Sequence, residues 1–145
     1  MPRLVLAFAL SALFATGVFA ANTPDTLKLC HGYALGAVNP DDRIAACTAA
    51  IESGDLSDYD RARVFDSRAR LHRDRKEFGE AVADFSRAIE LRPDSDDYYY
   101  QRAITNGALG QRDAAIADYG KVVELDEGDF LARSALEELG VTPPP

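Results

Sequence analysis

The sequence predicts an all-α fold, a short array of antiparallel helix hairpins, on three observations. First, "AVADFSRAIELRPD" at 81–94 returns as "AIADYGKVVELDEG" at 115–128, 34 residues later. That interval is too long for one helix or β-hairpin and too short for a domain, so it marks a unit that buries its apolar face against its own copy. Second, beyond the N-terminal run apolar residues recur at three- and four-residue spacing, and no stretch alternates with period two for long enough to make a strand. Third, Pro40, Gly54, Gly79, Pro93, Gly110 and Gly140 punctuate these segments as helix starts, turns and stops.

Residues 1–20 read as a secretory signal peptide: one basic residue, Arg3, an apolar and small run from Leu4 to Ala21, and Val18 and Ala20 ahead of a cut before Ala21. The run is short for a membrane span, and no cysteine follows it directly to take a lipid. The expected mature chain is therefore periplasmic or secreted, with no membrane insertion once the leader is removed. Its helices follow in order. "PDDRIAACTAAIESGD" opens on Pro40 with acidic residues in its first turn, sets Ile44, Cys47, Ala50 and Ile51 on one face and stops at Gly54. Ser57 or Asp58 caps the next helix, which carries Val64, Phe65, Ala69 and Leu71 toward Lys76. Gly79 marks the turn region before Ala81, Val82, Phe85, Ala88 and Ile89, and Pro93 ends that helix. The cycle repeats from Asp96 to Leu109 and from Asp113 to Leu125, and "FLARSALEELG" makes a last helix closing at Gly140.

Charge narrows the function classes. The formal −8 of the whole chain becomes −9 when Arg3 leaves with the leader, and so acidic a chain repels phosphate backbones and anionic lipid. Nucleic acid is thereby excluded as the general partner. Two cysteines, Cys30 and Cys47, form an even pair in an oxidising compartment and are expected to close as a disulfide. "CHGY" lacks the second cysteine of a haem-attachment motif, and two Cys with the distant His31 and His72 make a poor zinc set. Phosphate loops, dinucleotide turns, metal-ligand helices and serine elbows are all missing from the sequence. The expectation is a protein without catalytic residues, metal or cofactor.

Phe65, Ala69, Ala81, Phe85, Ala88 and Pro93 occupy the aromatic, small and proline positions of a tetratricopeptide repeat, and Tyr99, Ala103, Ala115 and Tyr119 do so in the second copy. The chain resembles that family over 28–139, most closely over 62–129, and looks like its small exported bacterial members. Val122, Glu127, His72 and Asn106 depart from the family pattern. The resemblance implies a right-handed superhelical solenoid over 21–139: a degenerate first repeat at 28–61, repeats at 62–95 and 96–129, a capping helix at 130–139 and a tail at 140–145. "DRIAACTAAIE" aligns with "EAVADFSRAIE" at an offset of 38, which gives Cys47 the place of Phe85. A segment carrying Cys30 then serves as a substitute first helix, stapled by the disulfide.

Two features remain. Arg68 with Asp84, and Arg102 with Asp118, share a separation of 16 and are expected to be partly buried ion pairs fixing hairpin register. The segment Asp60–Lys76 carries seven Arg or Lys against three Asp in an otherwise acidic chain. By the family's geometry Arg63, Asp66, Arg70 and Arg73, with Asp97, Tyr100 and Ile104, point into a concave groove that takes a peptide or extended segment of another exported or envelope protein. The competing expectation is that these arginines only pair with Asp96, Asp97 and their neighbours. The alternative function is a structural subunit that self-associates through terminal helices, with Leu131, Ala135 and Leu139 either capping the array or left exposed for assembly.

Overall fold

The structure is a computed structural model that describes residues 24–33 and 38–143; the expected signal peptide lies outside the described residues. Among them are seven helices and no strand: α1 (Pro24–His31), α2 (Pro40–Glu52), α3 (Asp58–Asp74), α4 (Phe78–Leu91), α5 (Asp96–Ala108), α6 (Arg112–Leu125) and α7 (Phe130–Glu138). They pair as hairpins α1/α2, α3/α4 and α5/α6, each stacked on the next, with α7 closing the array against α6.

Local chemistry accounts for the helix ends. Asn39 caps α2 by accepting from Asp41 N, Ser57 caps α3 by accepting from Asp60 N, and Asp129 caps α7 by accepting from Ala132 N. The turn between α3 and α4 differs from expectation. Gly79 lies inside the first turn of α4, and the left-handed residue that reverses the chain is Lys76, with φ 62°. Glu77 N donates to His72 O and Lys76 N to Arg73 O, a closure that sets the turn one residue past the cap and holds Lys76 there despite its Cβ. The same closure recurs at Gly110 and Gly140, where glycine adopts φ 74° and 72° without a Cβ penalty.

Small residues let the helices approach. Ala69, Ala81 and Phe85 are fully buried where α3 meets α4, and Ala62, Ala88, Ile89 and Tyr98 join α3 and α4 to α5. At the N-terminal end Cys30 and Cys47 are bonded to each other and buried among Ala46, Ala50, Leu56, Val64 and Leu71. The bond therefore sits inside the core joining α1, α2 and α3. At the other end α7 buries Ala132 and Leu136, with Ala135 and Leu139 packed beside them. Leu131 differs from its capping role: it is 60% exposed, because Ala132 and Leu136 take the inward stripe and Leu131 falls off it.

Candidate functional site

Two ion pairs brace the hairpins. Arg68 grips Asp84 with Nε 2.7 Å from Oδ2 and Nη2 2.8 Å from Oδ1, and Arg102 grips Asp118 in the same two-pronged way at 2.9 and 2.7 Å. Each arginine also donates Nη1 to a hydroxyl on the preceding hairpin, Arg68 to Thr48 Oγ1 and Arg102 to Ser86 Oγ, both at 2.9 Å. Thr48 and Ser86 in turn donate to the carbonyls of Ile44 and Val82. The motif therefore spans two hairpins, and its hydroxyls were the unread part of the repeat. They stand 38 residues apart, the offset that aligns the second helices of the first two hairpins. Asp118 accepts a further bond, 3.1 Å, from Nδ2 of the buried Asn106. The bond to Asp118 holds the Arg102 guanidinium above its usual pKa, against the opposing effect of burial. Both carboxylates are buried and each guanidinium is held by three bonds, so these groups act as braces, although Ser86, Arg102, Asn106 and Asp118 also line a cavity of about 280 Å³.

The first helices of the hairpins share another face, where their side chains meet across the gaps. Arg70 Nε donates to Asp66 Oδ1 at 2.9 Å and its Nη2 to Asp97 Oδ2 on α5 at 2.6 Å. Arg73 Nη1 donates to Gln101 Oε1 at 2.6 Å, and Gln101 Nε2 to Asp97 at 3.1 Å. Internal pairing thus describes Arg70. Arg63 instead stands over the Tyr59 ring at 5.7 Å, and neither Arg63 nor Arg73 has a carboxylate within ion-pair distance among the described residues. Burial raises the Asp66 carboxyl above its usual value, with Arg70 opposing the rise.

Tyr100 and Ile104 follow on α5. Tyr100 meets Tyr119 edge-on, with ring centres 5.6 Å apart, and Ile104 is exposed. A cavity of about 250 Å³ joins Tyr100, Asp97 and Gln101 to Leu131 on α7. A second, of about 450 Å³, extends from Ile104 between α5, α6 and α7. Of the seven groove candidates, Asp66, Arg70, Arg73 and Asp97 are linked by hydrogen bonds directly or through Gln101, Tyr100 shares the smaller cavity with Asp97 and Leu131, Ile104 lines the larger one, and Arg63 contacts the Tyr59 ring instead; the 34-residue offset from Asp97 is the signal that could have found Leu131.

Asp96, Asp126 and Asp129 bring carboxylate oxygens within 4.8 Å of one another. Asp126 already accepts from Gly128 N at 2.9 Å and Asp129 from Ala132 N at 2.8 Å, so turn and cap duties account for both. No described helix is long and apolar enough to cross a membrane.

Known proteins agree with the fold. A family model described as "TPR repeat" matches residues 69–110, and one described as "Tetratricopeptide repeat" matches 96–129. Serine/threonine-protein phosphatase 5 of Rattus norvegicus is 41% identical over 61 residues, a segment that is 42% of this chain and 12% of the phosphatase's length. Among solved structures, the first TPR domain of the human RPAP3 protein superposes with a TM-score of 0.65 at 22% identity, covering 79% of this chain and 89% of that one. The first TPR of Spaghetti (RPAP3), bound to the HSP90 peptide SRMEEVD, gives 0.60 at 24%, covering 70% and 79%. MamA gives 0.61 at 24%, covering 70% and 60%. Residues 69–129 thus carry tetratricopeptide repeats, and the described chain folds as a short tetratricopeptide solenoid.

Proposed function

We propose that this chain is a non-catalytic interaction module, periplasmic or secreted in a bacterium, which holds a peptide or extended segment of another exported protein across its first helices. The observation that supports it is that Arg73 bonds to Gln101, which shares a cavity with Tyr100 and Leu131, while neither Arg73 nor Arg63 of the same helix has a carboxylate in ion-pair range among the described residues and Ile104 is exposed on the next first helix. Arg and Tyr on a rigid scaffold are favoured anchors of protein contacts. A solved relative of the same fold holds an acidic peptide, and Arg63 and Arg73 suit a segment with a carboxylate at that end. Export is supported by the leader layout and the cysteine pair.

A crosslinking pull-down from periplasm supplies the partner, and its affinity is then measured at two salt concentrations. Arg63→Ala and Tyr100→Ala are each expected to weaken binding about tenfold, the Arg63 effect shrinking in high salt. Wild-type affinity in both, together with weakening by Arg87→Ala on the outer face, would show that the groove is the wrong surface. Intact mass of the exported, non-reduced protein checks the rest: a start at Ala21 and two fewer hydrogens for the Cys30–Cys47 bond are expected, and two free thiols overturn the bond.

One observation favours a second reading. Phe130 and Leu131 at the start of α7 are 76% and 60% exposed, as an assembling terminal helix requires. Multi-angle scattering that finds an oligomer, dispersed by Phe130→Ser, would favour self-association.

A further inference from the structure

Successive first helices touch through one recurrent place. Ser67, Gln101 and Ala135 are spaced by 34 residues. Ser67 Oγ lies 2.7 Å from His31 Nδ1 on α1, and Gln101 Oε1 accepts from Arg73 on α3 at 2.6 Å. At the third junction Ala135 stands opposite Gly107, the counterpart of Arg73, and neither has a side chain able to cross. Where the earlier junction holds Arg73 with its guanidinium 6.0 Å from the Phe85 ring, the last one holds the 450 Å³ cavity, with Tyr119 as the counterpart of Phe85.

Its wall is small and apolar: Ala103 and Ala115 are fully buried, and Gly107, Ala135, Leu139 and the Tyr119 ring complete it. A Cβ on Gly107 would meet no atom within 4 Å, and no positive φ demands glycine there. Glycine inside a helix lowers its stability relative to alanine, so this position gives up helix stability and leaves space. Glu138 lies at the rim without a cation in ion-pair range among the described residues, while Arg112 beside it donates to the Leu139 carbonyl. Residues 96–139 carry ten carboxylates against four Lys or Arg. Burial first, then Tyr100 and Glu138, hold the Tyr119 hydroxyl above its usual pKa, so it remains a donor.

We propose that this cavity is an anchor pocket for one aromatic side chain of the bound segment, with a neighbouring basic residue of that segment paired to Glu138. The inference rests on the groove reading for its setting, and it names the chemistry of one position of the partner. Ala135 and Gly107 supply the room, Tyr119 an edge for the ring, and Glu138 the sign of the flanking charge.

The chain contains no tryptophan, so a tryptophan probe reports alone. Acetyl-Trp-Lys-amide titrated into the purified protein is expected to shift its emission to the blue and saturate. Acetyl-Trp-Glu-amide is expected to bind about tenfold more weakly, and Glu138→Lys to reverse that order. Gly107→Leu and, independently, Ala135→Leu fill the cavity and are expected to abolish the shift, while Gly107→Leu raises the unfolding temperature and so excludes misfolding as the cause. Unchanged binding by both filled variants overturns the pocket. So does the lack of saturable binding to the wild type, an outcome that leaves the groove to its own test with Arg63→Ala and Tyr100→Ala. Binding that is lost in the filled variants while those two substitutions spare the partner's affinity supports the pocket and removes the groove as its setting.

Discussion

Arg102 reaches back from α5 to Ser86 on α4, whereas the residue 34 positions on, Leu136 of α7, meets α6 where Gly120 replaces that hydroxyl. On the other face Arg73 reaches forward to Gln101, and the corresponding pair is Gly107 and Ala135. The middle junction is thus tied on both faces by side-chain polar bonds, whereas the last is held chiefly by shape, through Ala132 and Leu136, with one exposed bond from Arg112 to the Leu139 carbonyl. Polar bonds that are satisfied in only one alignment specify register, and a misplacement leaves buried charge unpaired. Apolar contact is non-directional and tolerates sliding and gaps. An array can therefore end on an apolar junction, where nothing further has to be aligned, and can also keep a cavity there.

The largest expected effect tests the polar side of this contrast. Asp118→Ala leaves Arg102 with Ser86 but no carboxylate and removes the acceptor of buried Asn106, whose Oδ1 already has no partner, and should cost about 3 kcal/mol in urea unfolding. Asp84→Ala should cost less, about 2 kcal/mol, because no buried asparagine donates to Asp84 as Asn106 does to Asp118. An unchanged midpoint in both variants breaks the view that these pairs brace the hairpins.

Leu136→Ala comes next, at about 2 kcal/mol, since α7 packs on one side only and relaxes around the loss. The loss should appear in hydrogen exchange as opening of α7 alone, with α3 to α6 still protected. If Leu136→Ala instead lowers protection evenly along the chain, the apolar junction is as strongly coupled as the polar one.

The smallest effect sharpens the comparison at the N-terminal end. His31 bridges α1 to Ser67, and burial, then Arg63, pushes its pKa below 6.5, with Asp60 opposing. A base whose folded pKa is lowered binds protons more readily when unfolded. Its contribution is therefore complete above about 6.5 and falls as pH drops through that value toward the folded pKa. Protection factors in α1, corrected for the intrinsic pH dependence of exchange, should fall between pH 7 and pH 5 and do so less in His31→Gln. Equal acid sensitivity in the variant would show that another group governs this end.

Much of the architecture is a short-range property and was legible. Amphipathic period, a cap at Ser57 or Asp58, glycines at turns and stops and the 34-residue return are readable from the chain, because each depends on short-range pattern and backbone geometry. The Arg–Asp spacing of 16 also carried its geometry, since a helix, a tight turn and a returning helix leave little freedom between those positions. Other features depended on how one hairpin lies on the next. The left-handed turn at Lys76 rather than Gly79 follows from the backbone closure of the hairpin, which holds a residue with a Cβ in a conformation that glycine adopts at lower cost. The capture of Arg70 by Asp97, the reach of Arg68 to Thr48 and the gap between Gly107 and Ala135 join residues 20 to 28 positions apart. Local periodicity gives each of these side chains a face but no partner. The stacking angle and register of neighbouring first helices decide which faces meet, and they are set by the packing of many small and aromatic residues at once. The sequence by itself determined the repeats, their length and their braces; tertiary stacking alone decided which arginines are already paired and where the array keeps an open space.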